Sequence, residues 1–174
     1  MKQALQALNR IVDDGVIATY AIGGAIAASF YIEATQTEDI DVFVFLVAAP
    51  GQLLSLSPIY DALKARGGVI EREYVRFGDW PVQILTDANP LIADAIRDAI
   101  AVDFDGVPTR VFRAEHLCAV ALQLGRTKDY LRVAMFFEQG EVDRAKLDEI
   151  LARHGLAEKL DAVAQFGGRM GAGQ

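Results

Sequence analysis

The apolar positions of the 174-residue chain change period along its length. In the opening stretch KQALQALNRIVDDG, residues Ala4, Leu5, Leu8, Ile11 and Val12 recur at helical spacing, and Gly15 ends the run. VIATYAI follows as a short apolar strand and breaks at Gly23-Gly24. The small-residue segment AIAASFYIEA reads as a helix. DIDVFVFLVA is β-branched and aromatic from Ile40 onward and predicts a strand. SPIYDALKARGG predicts a helix with Ser57 as cap, Pro58 at the first helical position and Gly67 as stop. VIEREYVRF alternates as a half-exposed strand does, and a Gly78-Asp79 turn leads into the strand WPVQILT. NPLIADAIRDAI repeats the cap-then-proline start with Asn89 and Pro90, and AVDFDGVPTRVF predicts a hairpin turning at Asp105-Gly106.

After Arg113 the strand period disappears. AEHLCAVALQLG, TKDYLRVAMFFEQG, VDRAKLDEILARHG and LAEKLDAVAQFGG are four successive helical patterns, each closed by glycine. Residues 1–112 therefore read as an α/β unit and residues 113–174 as a helical subdomain, ending in a short frayed tail, RMGAGQ. No repeat or low-complexity segment interrupts this order.

Composition narrows the class. With 52% hydrophobic and 24% charged residues the chain is globular rather than disordered. A net charge of -7 argues against non-specific DNA binding, which needs a basic footprint, but leaves room for a nucleotide in a local basic pocket. The single cysteine, Cys118, excludes an intrachain disulfide and sits in an apolar helical pattern as a buried hydrophobe. One cysteine and two histidines do not build a zinc site alone. No apolar run reaches the roughly 18 residues of a membrane span, and the N-terminus lacks a signal-peptide layout, so a cytoplasmic protein is expected.

The candidate chemistry lies in the Asp39-Ile40-Asp41 tripeptide. On a strand, residues i and i+2 share a face, so Asp39 and Asp41 project together while Ile40 and Val42 project the other way. Two like charges held close raise one pKa unless a cation neutralises them. All-oxygen ligation by carboxylates suits Mg²⁺, which keeps waters and substrate phosphates as its other ligands. The competing reading is structural: Asp39 starts the strand and caps a turn with Thr37, and Asp41 is solvated. Strand, Gly23-Gly24, helix is the layout of a tight turn that exposes backbone N–H groups to an anion.

Taken together, Ile22-Gly23-Gly24, the helix AIAASFYIEA, the loop TQTE and Asp39-Ile40-Asp41-Val42 resemble the signature of the nucleotidyltransferase superfamily, the polymerase-β-like fold. The TEDID wording is similar to that of small bacterial nucleotidyltransferases related to the AbiEii toxins and the antibiotic-modifying enzymes, and the similarity extends to RTKDYLRVAMFFEQG. The resemblance implies an α/β (α+β) fold, a mixed β-sheet nucleotidyltransferase core followed by a C-terminal helical subdomain. It implies transfer of a nucleoside monophosphate from an NTP to an acceptor hydroxyl, with Mg²⁺ as cofactor. The acceptor stays open among tRNA, a protein side chain and a small molecule.

By that resemblance Gly23 and Gly24 receive the triphosphate, because phosphate oxygens approach backbone that has no Cβ. Asp39 and Asp41 bind Mg²⁺. Lys128 reaches triphosphate oxygens as a point charge with Arg126 beside it, and Asp129 orients the lysine or contacts the nucleotide. Ser29 lies too far along its helix for this role. The plain alternative for the last group is a helix capped by Thr127, with Asp129 favouring the helix dipole and Lys128 in solvent. The family's third carboxylate belongs on a later strand, here WPVQILT, where Val82 and Ile84 share one face and Gln83 takes the other. Glutamine offers a metal a neutral oxygen but accepts no proton at neutral pH. Glu73 and Asp87 are the nearby carboxylates that would have to substitute. A non-catalytic nucleotide-binding relative, or a protein-binding member of a toxin–antitoxin-like pair, is the second reading. His116, His154, Trp80 and Phe136-Phe137 read as packed or surface side chains without chemistry.

Overall fold

A computed structural model describes residues 1–33, 37, 39–46, 55–87 and 89–163. The elements in chain order are α1 (Lys2–Asp13), β1 (Ile17–Ile22), α2 (Gly24–Ala28), β2 (Ile40–Leu46), α3 (Ser57–Lys64), β3 (Val69–Glu71), β4 (Tyr74–Phe77) and β5 (Trp80–Thr86). Next come α4 (Pro90–Arg97), β6 (Ile100–Phe104), β7 (Val107–Val111), α5 (Ala114–Leu124), α6 (Thr127–Glu138) and α7 (Arg144–Arg153), with a 3-10 turn at Ala157–Leu160. The described strands form one seven-stranded sheet in the order β3-β4-β5-β2-β1-β7-β6. It is mixed: β2 runs parallel to β5 and β1 parallel to β7, while β1–β2, β3–β4, β4–β5 and β6–β7 are antiparallel.

Strand alternation divides the sheet into two faces. In β2, Ile40, Val42 and Val44 are fully buried, while Asp41, Phe43 and Phe45 are half-buried on the opposite face. The first face is covered by α1, whose Leu5, Leu8 and Ile11 exclude water entirely, and by α3, which packs beside α1. Tyr20, in register with Val44, shows the side: its hydroxyl donates to Asn9 Oδ1 of α1 at 2.7 Å. The second face carries α4 over Phe45, with the Arg97 guanidinium 5.9 Å from that ring. Arg110 of β7 ties the end of α4 to the sheet, donating to the carbonyls of Ile96, Arg97 and Ala99. α5 packs on α2 and α4, and α6 and α7 pack on α5. None of the described helices is long and apolar enough to cross a membrane.

The α/β order and the mixed sheet agree with the expectation. Asn89 caps α4 by accepting from the Ile92 N–H at 3.0 Å, with Pro90 at the first helical position. Three local expectations need correction. AIAASFYIEA forms only the five-residue α2, after which the Phe30 and Tyr31 N–H groups donate to the Ala27 and Ala28 carbonyls in tighter turns and Ser29 Oγ donates to the Ile26 carbonyl at 2.7 Å. VIEREYVRF is not one strand but the β3–β4 hairpin, turning where Arg72 takes a left-handed φ of 57°. Ser57 is the first residue of α3 and Leu56 its cap. The fourth C-terminal helical pattern opens as the 3-10 turn, and its remainder from residue 164, including the RMGAGQ tail, lies outside the described residues, as do most of TQTE and the end of DIDVFVFLVA.

His116 of α5 is 2% exposed, and among the described residues neither ring nitrogen has a hydrogen-bond partner. Burial lowers its pKa; Asp98, Asp94 and Glu115 push the other way, and His154 adds to the lowering. The Asp98 carboxylate stands 3.7 Å from Nε2, but its side chain is 54% exposed, so water screens the attraction and burial prevails. A neutral folded imidazole stabilises the protein above the unfolded pKa of about 6.5, and that contribution is lost as pH falls below it. Urea denaturation at pH 7 and pH 5 should show this loss in the wild type. His116→Leu should reduce the difference between the two pH values; an unchanged difference would remove His116 as its source.

Candidate functional site

The candidate site begins where β1 ends. Gly23 is extended, and its N–H donates to the Asp41 carbonyl at 2.9 Å, continuing the sheet by one bond. Gly24 has φ +60°, a left-handed conformation that disfavours side chains. A Cβ at Gly24 would lie 2.0 Å from Asp41 Oδ2, and one at Gly23 would lie 2.5 Å from the Phe43 ring. The two glycines thus serve separate contacts. Gly23 admits the Phe43 ring, itself 4.8 Å from the Phe112 ring, and Gly24 admits the Asp41 carboxylate. With α2 only five residues long, close backbone approach matters here more than any helix dipole.

Strand register sets out a row across the sheet. Asp41 of β2 pairs with Gln83 of β5, and Gln83 pairs with Tyr74 of β4. Directly paired residues share a face, so Tyr74, Gln83 and Asp41 stand side by side, all half-buried, while Val75, Val82 and Val42 fill the core behind them. Asp39 precedes β2, and Thr37 Oγ1 donates to its carbonyl at 3.2 Å and to Oδ1 at 3.4 Å. Gln83 therefore occupies the strand position beside Asp41, the position where the resemblance implies a third carboxylate. Glu73 lies exposed in the β3–β4 turn, where its carbonyl accepts from the Tyr60 hydroxyl at 3.1 Å. Asp87 follows the end of β5, about 13 Å along the strand from Gln83 at 3.3 Å per residue. Among the described residues, no group of three or more His, Cys, Asp or Glu side chains is placed to hold a metal ion.

The start of α6 supplies positive charge. Asp129, 1% exposed, accepts from the Arg126 backbone N–H at 3.2 Å and from Arg126 Nε at 2.6 Å through Oδ2, and from Nη2 at 3.1 Å through Oδ1. This capping box replaces the cap expected of Thr127: Asp129 reaches back to Arg126, and Thr127 is the first helical residue. The hydrogen bonds that Arg126 donates to Asp129 raise the Arg126 pKa, so the pair is a fixed, neutralised clamp. Lys128 is exposed. Burial raises the Asp41 pKa, Asp39 raises it further, and Arg132, Arg126 and Lys128 oppose both. The field of the α6 cations thus reaches the carboxylate seated on Gly24.

Two members of this cluster were passed over in the sequence. Arg132 stands one turn beyond Lys128 on α6, at the i,i+4 spacing that places both on one helix face. Tyr74 is the other; burial raises its pKa, followed by Asp39, Glu73 and Asp41. Its place became visible only with the β3–β4 turn at Arg72. The remaining side chains are structural. Cys118 is fully buried, which raises its thiol pKa and leaves it unreactive. His154 Nε2 lies 3.0 Å from Asp94 Oδ2. Phe136 is core, Phe137 lies beneath the Arg144 guanidinium at 5.9 Å, and half-buried Trp80 packs against the core.

The Gly24–Asp41 contact makes a stability prediction. Gly24→Ala should lower the unfolding free energy in urea by about 1–3 kcal/mol, from left-handed strain plus the clash. In Gly24→Ala/Asp41→Ala the clash is relieved, so the double variant should be more stable than the two single losses predict. Additive losses would show that the carboxylate does not occupy the volume of a Cβ at position 24.

No protein-family model matches the sequence, and a search of curated proteins finds no match. Solved structures do share the fold. A crystal structure of ANT(2'')-Ia in complex with adenylyl-2''-tobramycin superposes with a TM-score of 0.51 at 17% identity, covering 88% of this chain and 97% of that one. An antigenic nucleotidyltransferase-like protein from Paracoccidioides brasiliensis gives a TM-score of 0.54 at 14% identity, over 92% of this chain and 93% of that one. The mixed sheet and its helices are therefore those of a nucleotidyltransferase-like fold.

Proposed function

We propose that the chain is a Mg²⁺-dependent nucleotidyltransferase that moves a nucleoside monophosphate from an NTP to an acceptor hydroxyl. The observation that carries the proposal is the Asp41 carboxylate, lodged against Gly24, repelled by Asp39 and opposed by the α6 cations. A half-buried pair of carboxylates whose like charges repel fits a divalent cation. Asp39 and Asp41 would hold Mg²⁺, with Gln83 Oε1 as a neutral neighbour. The bound ion supplies charge stabilisation to the phosphates.

The chain's own residues do the rest. The Gly24 turn seats the Asp41 carboxylate and so fixes where the ion and the triphosphate oxygens bound to it would lie. Lys128 offers a point charge to those oxygens. The Asp129–Arg126 clamp fixes the first turn of α6 and so positions Lys128. The acceptor oxygen attacks the α-phosphorus, the bond to the β-phosphate oxygen breaks, and pyrophosphate leaves. No carboxylate is paired beside Asp41 in the described sheet, so the acceptor proton passes to Asp39, Asp41 or water. The acceptor is a tRNA, a protein side chain or a small molecule. Likeness to a protein whose complex contains an adenylylated aminoglycoside supports the small molecule.

Gln83 favours a second reading, in which the chain binds nucleotide without turnover or serves as a protein-binding relative in a toxin–antitoxin-like pair. Incubation with α-labelled NTP, Mg²⁺ and pools of RNA, protein and small hydroxyl compounds separates the two. The first reading expects label transfer by the wild type and none by Asp39→Ala/Asp41→Ala; absence of wild-type transfer favours the second. Calorimetry should show that the double variant loses Mg²⁺-dependent NTP binding, and unchanged affinity would refute the site. Gln83→Asp should bind Mg²⁺ several-fold more tightly, because it adds a charged oxygen beside Asp41. Unchanged metal affinity would mean that position 83 does not face the ion.

A further inference from the structure

Tyr74 of β4 differs from the other half-buried aromatic side chains. Tyr31, Tyr60, Trp80 and Phe104 pack against the core, and among the described residues Tyr74 does not. The hydroxyls of Tyr20, Tyr31 and Tyr60 donate to Asn9 Oδ1, the Phe112 carbonyl and the Glu73 carbonyl. The Tyr74 hydroxyl makes no such bond, and its ring meets no other aromatic ring, among the described residues. Aromatic side chains on a sheet normally gain their stabilisation from packing. One that lies in the Asp41 row without that packing offers its face to a flat ligand. Register sets its place: Tyr74 pairs with Gln83 and Gln83 with Asp41, so two strand spacings, about 9.6 Å, separate it from the carboxylate. On its other side Tyr74 pairs with Glu71, which accepts from Arg76 Nε at 2.9 Å. Burial keeps the phenol protonated, and Asp39, Glu73 and Asp41 add to this. No α6 cation is among the charges acting on it, whereas Arg132, Arg126 and Lys128 all act on Asp41. Phosphate groups are therefore repelled at Tyr74, and an uncharged group is not.

We infer that the Tyr74 ring is the platform on which the base of a bound nucleotide stacks, and that it gives the site a preference for purines. This rests on the nucleotide-binding reading above, and it concerns the nucleoside rather than the phosphates or the ion. With the α-phosphate beside Asp39 and Asp41, the ribose crosses Gln83 and the uncharged base reaches Tyr74. The ring supplies the stacking face, and the phenol O–H donates to a nitrogen or carbonyl of the base. Every base has a face to stack, so the ring selects no single base; the wider purines overlap it more and bind more tightly.

The probes are tripolyphosphate and analogues of ATP and CTP with a methylene group between the α- and β-phosphates, titrated calorimetrically into the full chain with Mg²⁺. The wild type should bind the ATP analogue more tightly than the CTP analogue. Tyr74→Leu, which keeps apolar volume without a ring, should bind the ATP analogue about tenfold more weakly, the range expected for loss of one base–aromatic stack. It should also lose the preference for ATP over CTP and bind tripolyphosphate as the wild type does. Tyr74→Phe, which keeps the ring, should keep the preference. Unchanged affinity of Tyr74→Leu for the ATP analogue overturns the inference. So does equal weakening of the analogue and of tripolyphosphate, which a merely structural Tyr74 would give. Both of these results leave the nucleotidyltransferase reading standing. A wild type that binds neither tripolyphosphate nor the analogues ends both readings.

Discussion

The seating of the Asp41 carboxylate on Gly24 is the contact around which the site is arranged. Its Oδ2 fills the space that any side chain at position 24 would need, and the Gly23 N–H holds the Asp41 carbonyl from the same turn. The β1–α2 turn and β2 are thereby locked in one register. The same contact takes a carboxylate out of water and leaves Asp39 beside it, which raises the Asp41 pKa. Such a group needs positive charge, and α6 provides it. α6 is held in place by α5, which packs on α2 and α4, so the helices after β7 act as the frame for the cations.

The two faces of the sheet have different tasks. Ile40, Val42, Val44, Val75 and Val82 seal one face against α1 and α3 and fix the strands. The other face is only partly covered. Tyr74, Gln83 and Asp41 form a half-buried row there. Alternation along each strand links the two: a one-residue slip would move Asp41 into the core and Val42 to the site. The stability of the apolar face is what holds the carboxylates in position.

Much of this was legible in the chain because its signals are local. The glycine pair, the Asp-x-Asp strand, the Asn89-Pro90 helix start and the Asp105-Gly106 hairpin each depend on a few adjacent residues. Gln83 could be assigned to the site side of β5 because Val82 and Ile84 fixed the parity. The failures have equally specific causes. The β3–β4 turn carries no glycine, since Arg72 itself adopts the left-handed conformation, so a hairpin looked like one strand and Tyr74 was hidden. α2 ends after five residues, where the backbone tightens into turns that helical periodicity does not reveal. Arg132 carries no sequence signal of its own; only packing shows that its Nε is enclosed without a partner among the described residues.

The central claim is that nucleotide phosphates and a divalent ion meet between the Gly24 turn, Asp39, Asp41 and the first turns of α6. Paramagnetic broadening by Mn²⁺, an oxygen-seeking substitute for Mg²⁺, in the presence of ATP tests it residue by residue in an amide NMR spectrum. The account predicts that the resonances of Gly23, Gly24, Asp39, Asp41 and Gln83 disappear first, followed by those of Lys128 and Arg132, while those of α1 and α7 persist. Broadening centred on any other surface, or none at stoichiometric Mn²⁺ and ATP, would contradict it.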